Sequence, residues 1–516
     1  MAARAIFARY GRKLHLFLSW AGGLALLIFG LSGITHPVMS WTGPEQAKFY
    51  PPQLSASTMA GIGPIEALKA SSIRSAADVR VVASYDGPVL QVLEGSGQNR
   101  RYFSLADGQE LVDRDREHAT WLARYYTGLD KAPVSKVTFQ TAFDDDYPWV
   151  NRLLPVWRVE FDTPDQRRAF IYTELNALAA QHNGTREWLQ ATFQALHTWS
   201  WLDATGNGRV ILIGVLMLSL LGMSVTGLAM ILTFKSRAIP DGNRRWHRRL
   251  AYIVWLPVFM FSFSGAYHLL QSHYAENTRG MRVGEPMNLE AVLTAPSDLW
   301  ERAQGGRAAN AVALVKGPDG LLLRVERPAQ TQAPVKGAEA HDEHAHHGPV
   351  TREQRFSGTP ARGQIEYLNV ATGAAWQGSD KDLAVYFAQS LGRAKEDEIA
   401  AVEEITRFGL GYDFRNKRLP VWQVSLNDEA GRMLFIDTGA NLLVDQVNRL
   451  EFYETVSFSL LHKWNFLRPL GSKVMDSIVV GAVLLGCFAT ILGMTMLVRS
   501  RRQSKRKAAG RPAVAA

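Results

Sequence analysis

The sequence predicts a membrane protein in which a four-helix transmembrane bundle is combined with periplasmic α+β domains through an internal parallel duplication. Three observations support this fold: four long apolar segments, a one-sided distribution of Lys and Arg, and motifs that recur at a constant spacing. The chain has 516 residues, 47% hydrophobic and 20% charged, which excludes a disordered or collagen-like chain. Its one cysteine, Cys487, excludes an intrachain disulfide, a zinc ribbon and a cysteine-ligated iron–sulfur cluster.

Each of the four apolar segments lacks Asp, Glu, Lys and Arg and exceeds the roughly 20 residues that cross a bilayer as a helix. Basic residues precede the first segment, as in a signal peptide, but its apolar part is too long and no small-residue cleavage site follows, so we expect it to be retained. The predicted transmembrane segments are Leu14–Pro44, Val210–Phe234, Leu250–Ala275 and Ser477–Val498.

The distribution of Lys and Arg predicts the orientation of these helices. Residues 1–13 carry four of them, residues 235–249 carry six and residues 499–516 carry seven, against the single acid Asp241. The formal net charge of +9 is therefore a positive-inside pattern and does not indicate a nucleic-acid partner. We expect both termini and the 235–249 loop in the cytoplasm of a bacterium, and large periplasmic domains at residues 45–209 and 276–476.

The two outer segments repeat each other. The motif Asn151-Arg-Leu-Leu-Pro-Val-Trp-Arg-Val159 returns 265 residues later as Asn416-Lys-Arg-Leu-Pro-Val-Trp-Gln-Val424, whereas the first and third apolar segments match at a spacing of 232. The difference indicates an insertion, and the Pro-, Gly- and His-rich stretch near 327–360 is expected to be that insertion, as a mobile loop. Because each half crosses the membrane twice, the two repeats have the same orientation and form a four-helix bundle.

The outer segments alternate short strand patterns with helical ones, which predicts small α+β units, two in each half. The predicted helices are Ile65–Ser72 and Leu289–Leu293. The predicted strands, several of which run into a turn, are Pro88–Val92, Tyr102–Gly108, Val156–Phe161, Ala169–Tyr172, Leu321–Val325, Ile365–Gly373, Val421–Leu426 and Met433–Gly439.

Several motifs together resemble the PepSY-associated transmembrane family over nearly the whole chain. A Leu-His or Trp-His pair opens a membrane helix, a later Leu-His precedes the next helix, and hairpins between them end in Asp-Gly or Thr-Gly turns. The residues are Leu14-His15, Trp246-His247, Leu196-His197, Leu461-His462, Asp107-Gly108, Thr372-Gly373 and Thr438-Gly439. The resemblance implies PepSY-like periplasmic domains. Because the family includes ferric-siderophore reductases of the bacterial inner membrane, it also implies one or two b-type haems; the His-rich insertion departs from the simplest members.

Six of the 13 histidines lie at membrane edges as three repeated pairs: His15 with His247, His36 with His268, and His197 with His462. A low-spin haem takes two axial imidazoles from opposite sides, and a bundle with pseudo-twofold symmetry can supply them from facing helices. We expect His15 and His247 to bind a haem near the cytoplasmic surface. The periplasmic ligands remain a choice among His36, His268, His197 and His462, because His36 follows His15 by about 31 Å of ideal helix, a long gap for electron transfer.

Other candidate sites have two interpretations each. Imidazole suits Fe, Cu, Zn and Ni, so the cluster His341, His344, His346 and His347 is either a weak metal site or a solvated loop. Trp157 and Trp422 are expected in domain cores, and Trp199 and Trp464 as anchors at the membrane interface; the alternative is that these tryptophans stack on a ligand or relay electrons. The glycines of the first helix provide either room for a macrocycle or close helix packing; they are Gly22, Gly23, Gly30 and Gly33.

The leading hypothesis is a haem-containing inner-membrane reductase that passes electrons across the bilayer to a periplasmic ferric complex, such as a ferric siderophore, and releases Fe(II). No catalytic residue is identified. No Gly-x-Gly-x-x-Gly follows a strand and the cytoplasmic segments are short, so we expect no flavin or NAD site in this chain and a separate electron donor, either a reductase or quinol. The alternative is a non-enzymatic, membrane-anchored PepSY protein that binds a peptide, a protease or a metal.

Overall fold

A computed structural model describes residues 2–52, 54, 61–95, 99–233, 241–328, 358 and 362–509 of the chain. They divide into two compact units. The first, here called the bundle unit, comprises Met1–Gly43, Thr185–Asn277 and Leu450–Ala516. The second, the sheet unit, comprises Pro44–Gly184 and Thr278–Arg449.

The main elements follow in chain order. They are α1 (Ala2–Gly33), α2 (Thr35–Thr42), α3 (Gly63–Ala70), β1 (Ser75–Ala76), β2 (Asp78–Ser84), β3 (Gly87–Leu93), β4 (Arg101–Ser104), α4 (Arg114–Thr127), β5 (Val134–Gln140), β6 (Val156–Phe161), β7 (Arg168–Tyr172), β8 (Ala177–His182), α5 (Gly184–Phe193), the π-helical turn π1 (Gln194–Thr198), α6 (Asn207–Thr233), α7 (Gly242–Tyr274), β9 (Arg282–Val283), β10 (Met287–Asn288), α8 (Glu290–Leu293), α9 (Leu299–Gln304), β11 (Ala311–Gly317), β12 (Gly320–Glu326), β13 (Ile365–Asn369), α10 (Asp380–Ser390), β14 (Ile399–Ile405), β15 (Val421–Leu426), β16 (Met433–Asp437), β17 (Leu442–Val447), α11 (Arg449–Ser457), the π-helical turn π2 (Phe458–His462) and α12 (Ser472–Ala509).

Four helical segments of the bundle unit are long and apolar enough to cross a membrane, so the chain is a multi-pass membrane protein, as predicted. These spans are Tyr10–Thr42, Asn207–Thr233, Gly242–Tyr274 and Ser472–Gln503. The helices pack as a ring in which α1 contacts α6 and α12, and α7 contacts the same two helices from the other side. Because α1 and α7 come from equivalent places in the two halves, the ring has the pseudo-twofold arrangement that the repeat predicts.

The sheet unit contains a six-stranded sheet to which each half contributes three strands, in the order β13-β12-β11-β2-β3-β4. The halves join where β2 pairs antiparallel with β11 and Arg80 lies opposite Ala313, 233 residues later. The first α+β unit of each half therefore shares one sheet with its counterpart in the other half, a pairing that the strand patterns did not indicate. Sheet pairing between distant strands buries the apolar faces of both halves in one core, with α3, α8 and α9 packed against it.

Each half also has its own antiparallel sheet, covered by one helix. In the first half the order is β5-β6-β7-β8 with α4, and in the second it is β14-β15-β16-β17-β9 with α10. From β3 to β12 the repeat spacing is 233, but from Tyr102 in β4 to Tyr367 in β13 it is 265. The additional residues of the second half therefore lie in the connection between β12 and β13, where the insertion was predicted.

A buried aspartate organises each of these small domains. Asp115, in the first turn of α4, accepts hydrogen bonds from Trp157 Nε1 at 2.7 Å and from the Tyr102 hydroxyl at 2.8 Å. At the equivalent place in α10, Asp380 accepts from Trp422 Nε1 at 2.7 Å. Both tryptophans thus lie against the domain cores, as expected. Burial disfavours the charge on Asp380, but the adjacent arginines Arg324 and Arg362 outweigh it and hold the pKa of that carboxyl below its usual range.

His118 is a buried histidine of the first half alone, because Leu383 occupies the equivalent position in α10. Its Nε2 donates to Asn176 Oδ1 at 2.6 Å, and its Nδ1 lies 3.1 Å from the Ser84 hydroxyl. Ser84 Oγ accepts from Arg114, so its own proton is available to His118 Nδ1. Both ring nitrogens are therefore satisfied in the neutral form, and burial lowers the pKa of His118 from 6.5 to about 4.

We predict that His118 makes the stability of the protein depend on pH. Because its pKa is lower in the folded than in the unfolded chain, the unfolded chain binds the extra proton between pH 6.5 and 4, and stability falls as pH falls through that range. Between pH 7.5 and 5, His118 should lower the free energy of unfolding by about 2 kcal/mol. The drop in melting temperature of the full-length protein between these pH values should be smaller in His118→Leu than in wild type. Equal drops would contradict the prediction.

Candidate functional site

Four partly buried histidines form two layers in the bundle unit. One layer lies at the end of the bundle where α1 and α7 begin, here called the basic end because Arg and Lys residues cluster there; it contains His15 and His247. The other lies at the opposite end, here called the π-turn end, and contains His197 in π1 and His462 in π2. Short π-helical segments of this kind are frequent at functional sites.

At the basic end, each histidine forms a hydrogen bond with the backbone of the neighbouring helix. His15 Nδ1 donates to the carbonyl of Met223 on α6 at 3.0 Å, and His247 Nδ1 donates to the carbonyl of Ala489 on α12 at 2.8 Å. Because a carbonyl oxygen can only accept, the proton of each neutral ring is on Nδ1, and Nε2 retains its lone pair.

At the π-turn end, His197 and His462 are held by α1 and α7. His197 Nδ1 donates to the carbonyl of Phe29 at 3.0 Å and lies 3.1 Å from Ser32 Oγ. His462 Nδ1 lies 3.1 Å from Ser264 Oγ. Both serine hydroxyls donate to backbone carbonyls four residues earlier in their helices, so their oxygens accept the Nδ1 proton. The tautomer is therefore the same as at the basic end.

The separation of His197 and His462 suits two ligands of one metal ion. Their ring centroids are 6.5 Å apart and their planes are inclined by 76°. A metal–imidazole bond is about 2.0 Å long, and the nitrogen lies about 1 Å from the ring centroid, so two imidazoles on opposite sides of one ion have centroids about 6 Å apart. Within the described part of the chain, Nε2 of neither histidine has a hydrogen-bond partner. The residues therefore fit bis-histidine ligation of a haem.

Aromatic side chains support this histidine pair identically in the two halves. The ring of Phe193 stacks on His197, and that of Phe458 stacks on His462, each at a centroid distance of 4.6 Å. Phe29 and Phe261 approach the same histidines edge-on. Phe29 in turn stacks on Trp199, and Phe261 stacks on Trp464, each at a centroid distance of 5.4 Å. Both tryptophans belong to the segment that follows a π-helical turn. These tryptophans, predicted as interface anchors, thus pack against the bundle helices.

His36 and His268, the third repeated pair, have exposed side chains. They lie one helical turn beyond Ser32 and Ser264. His268 Nδ1 donates to Glu454 Oε1 at 2.6 Å, whereas Leu189 occupies the position equivalent to Glu454 in the first half. The structure therefore brings the rings of His197 and His462 to within 6.5 Å of each other. The rings of His36 and His268 are exposed and lie beside Phe193 and Phe458.

The two histidine layers are closer than the sequence suggested for His36. Phe29, whose carbonyl binds His197, follows His15 by 14 residues of α1, and Phe261 follows His247 by the same number in α7. Fourteen residues of α-helix rise about 21 Å, compared with about 31 Å from His15 to His36. The segments that carry π1 and π2 shorten the gap because they fold back toward the bundle before Gly206 and Gly471, both of which have a positive φ.

A glycine lies against each of the four histidine rings. A Cβ would crowd the ring at Gly493 and Gly33, and would make ordinary van der Waals contact with it at Gly227 and Gly265. The glycine–histidine pairs are Gly227 with His15, Gly493 with His247, Gly33 with His197, and Gly265 with His462. Three of the four candidate glycines of α1 instead contact neighbouring helices; they are Gly22, Gly23 and Gly30. For those three the packing interpretation applies. In the sequence, the contacts to His197 and His462 could have been recognised from the motif Ser32-Gly33, which is repeated as Ser264-Gly265.

The metal site predicted in the His-rich insertion, formed by His341, His344, His346 and His347, lies outside the described residues. Among the described residues, no group of three or more His, Cys, Asp or Glu side chains is arranged to hold a metal ion. The symmetric histidine pairs of the bundle unit are therefore the candidate site.

A family model described as PepSY-associated TM region matches residues 12–514. The match covers both histidine layers and both halves of the sheet unit. No curated protein matches the chain.

We predict that Gly493→Ala destabilises the protein and that Gly481→Ala, on the same helix, does not. A Cβ at position 493 would lie 3.0 Å from Cε1 of His247, and displacing a packed ring costs about 1–3 kcal/mol. At position 481, no described atom lies within 4 Å of the new Cβ, and alanine favours helix. In thermal unfolding of the detergent-purified protein, Gly493→Ala should melt below wild type and Gly481→Ala at or above it. Equal melting temperatures for the two variants would show that the ring does not occupy this position.

Proposed function

Because this chain belongs to the PepSY-associated TM region family and its bundle contains two symmetric histidine pairs, we propose that it is a haem-containing reductase of a bacterial inner membrane. It would pass electrons across the membrane to a periplasmic ferric complex, such as a ferric siderophore. The observation that carries the proposal is the hydrogen bonding of the four partly buried histidines through Nδ1, which leaves Nε2 of each without a hydrogen-bond partner among the described residues.

The positive-inside rule supports the orientation in the membrane that this transfer requires. The basic end, with His15 and His247, would face the cytoplasm and receive electrons from a separate donor, either a reductase or quinol. The π-turn end, with His197 and His462, would face the periplasm, where the residues of the sheet unit would meet the substrate.

In this proposal, His15 and His247 would hold one b-type haem, and His197 and His462 would hold the other. A bound haem supplies one-electron chemistry at a potential set by its axial ligands, their hydrogen bonds and burial. The Nδ1 hydrogen bonds hold each imidazole in the tautomer and orientation that ligation needs. Buried apolar side chains between the layers exclude water from the path; they are Ala25, Leu26, Met217, Leu220 and Val258.

The substrate chemistry follows from the preference of Fe(III) for hard oxygen ligands. One electron from the donor converts the bound Fe(III) to Fe(II), and the oxygen ligands of a siderophore hold Fe(II) less tightly. Release of iron would therefore follow arrival of the electron, without breaking a covalent bond of the siderophore.

We predict that the detergent-purified, full-length protein has a haem spectrum with sharp α and Soret bands after reduction by dithionite. Once excess dithionite is removed under anaerobic conditions, a ferric hydroxamate siderophore should return the oxidised spectrum, and a ferrous-iron chelator should detect one Fe(II) per electron. The gallium(III) complex of the same siderophore is the matched control. It has the same charge and shape but cannot accept the electron, so it should leave the reduced spectrum unchanged.

Either of two results would contradict the proposal. A colourless protein from haem-replete cells would favour the alternative of a non-enzymatic PepSY protein that binds a peptide, a protease or a metal. A haem spectrum that responds equally to the ferric and gallium complexes would exclude electron transfer to the ferric substrate.

A further inference from the structure

The four histidines differ in the groups that accept their Nδ1 protons. His15 and His247 each donate to a backbone carbonyl, and Thr226 Oγ1 also lies 3.2 Å from His15 Nδ1. His197 has the carbonyl of Phe29 in addition to Ser32 Oγ. Among the described residues, the single acceptor for His462 Nδ1 is Ser264 Oγ. The orientation of His462 thus depends on one hydroxyl group.

Ser264 is buried, and its hydroxyl oxygen is directed at His462. The residue is 1% exposed. Its hydroxyl donates to the carbonyl of Met260 at 2.8 Å, which leaves the oxygen lone pairs available to the histidine. Ser262, two residues earlier in α7, is equally buried. It donates in the same way to the carbonyl of Val258 at 2.7 Å, but it has no hydrogen bond to a histidine. The helix therefore contains a matched pair of serines that differ in this one contact.

We propose that Ser264 is the positioning residue that sets the orientation and electron-donating strength of His462, and with them the reduction potential of the periplasmic-side haem. This inference rests on the proposed function. An acceptor for Nδ1–H increases the basicity of the imidazole and so stabilises Fe(III) relative to Fe(II). Without that acceptor, the ring donates less strongly and the potential rises. Ser32 has a smaller effect because His197 keeps the carbonyl of Phe29.

Redox titration of the full-length protein tests this role independently of activity. Spectroelectrochemical titrations are recorded for wild type and for the variants Ser264→Ala, Ser262→Ala and Ser32→Ala. Each titration is fitted with two one-electron components, one for each haem. At a fixed applied potential, the ratio of reduced to oxidised haem in one component should rise three- to tenfold in Ser264→Ala, which is about 30–60 mV for a one-electron couple. The shift should be smaller in Ser32→Ala and absent in Ser262→Ala.

Ser264→Thr keeps the hydroxyl and should restore the wild-type potential. Loss of one haem in Ser264→Ala, with both haems retained in Ser264→Thr and Ser262→Ala, would also support the positioning role. If wild type has two haems and Ser264→Ala titrates like Ser262→Ala, this inference is overturned and the proposed function stands. A wild-type protein without haem overturns both.

Discussion

The hydrogen bond from histidine Nδ1 to an acceptor on a neighbouring helix is the interaction on which the candidate site depends. An imidazole inside an apolar bundle must satisfy its N–H group, because an unpaired polar group there costs several kcal/mol. Each of the four histidines does so with a carbonyl or a hydroxyl, and the acceptor determines which nitrogen carries the proton. The same bond that makes burial tolerable therefore leaves Nε2 free, so the stability and the ligating capacity of the site have a common origin.

Duplication converts this local arrangement into two paired sites. Each histidine of the first half has a counterpart at the equivalent position of the second half, so the histidines occur as His15 with His247 and His197 with His462. The sheet unit has the same symmetry, with its two halves joined where Arg80 lies opposite Ala313. The symmetry is incomplete where it affects chemistry, since Glu454 has Leu189 as its counterpart and His462 has fewer acceptors than His197.

The sequence contained enough to predict the membrane spans, the repeat and most of the strands, because these depend on local hydrophobicity and turn residues. The strands Val156–Phe161 and Val421–Leu426 have the bounds that the pattern predicts. Pairing of β2 with β11 was not predictable, since it joins residues more than 200 positions apart. The proximity of His197 and His462 was not predictable either. It depends on the π-helical turns and on backbone carbonyls such as that of Phe29, which every residue type carries and no motif reveals.

The haem content of pairwise histidine variants tests the central claim most directly, through the haem-to-protein ratio of full-length protein purified from haem-replete cells. The account predicts two haems per chain in wild type, one in His15→Ala/His247→Ala and one in His197→Ala/His462→Ala. His36→Ala/His268→Ala, which alters the exposed pair, is the matched control and should retain two. Loss of haem in this control with retention in His197→Ala/His462→Ala, or a wild-type protein without haem, would contradict the account.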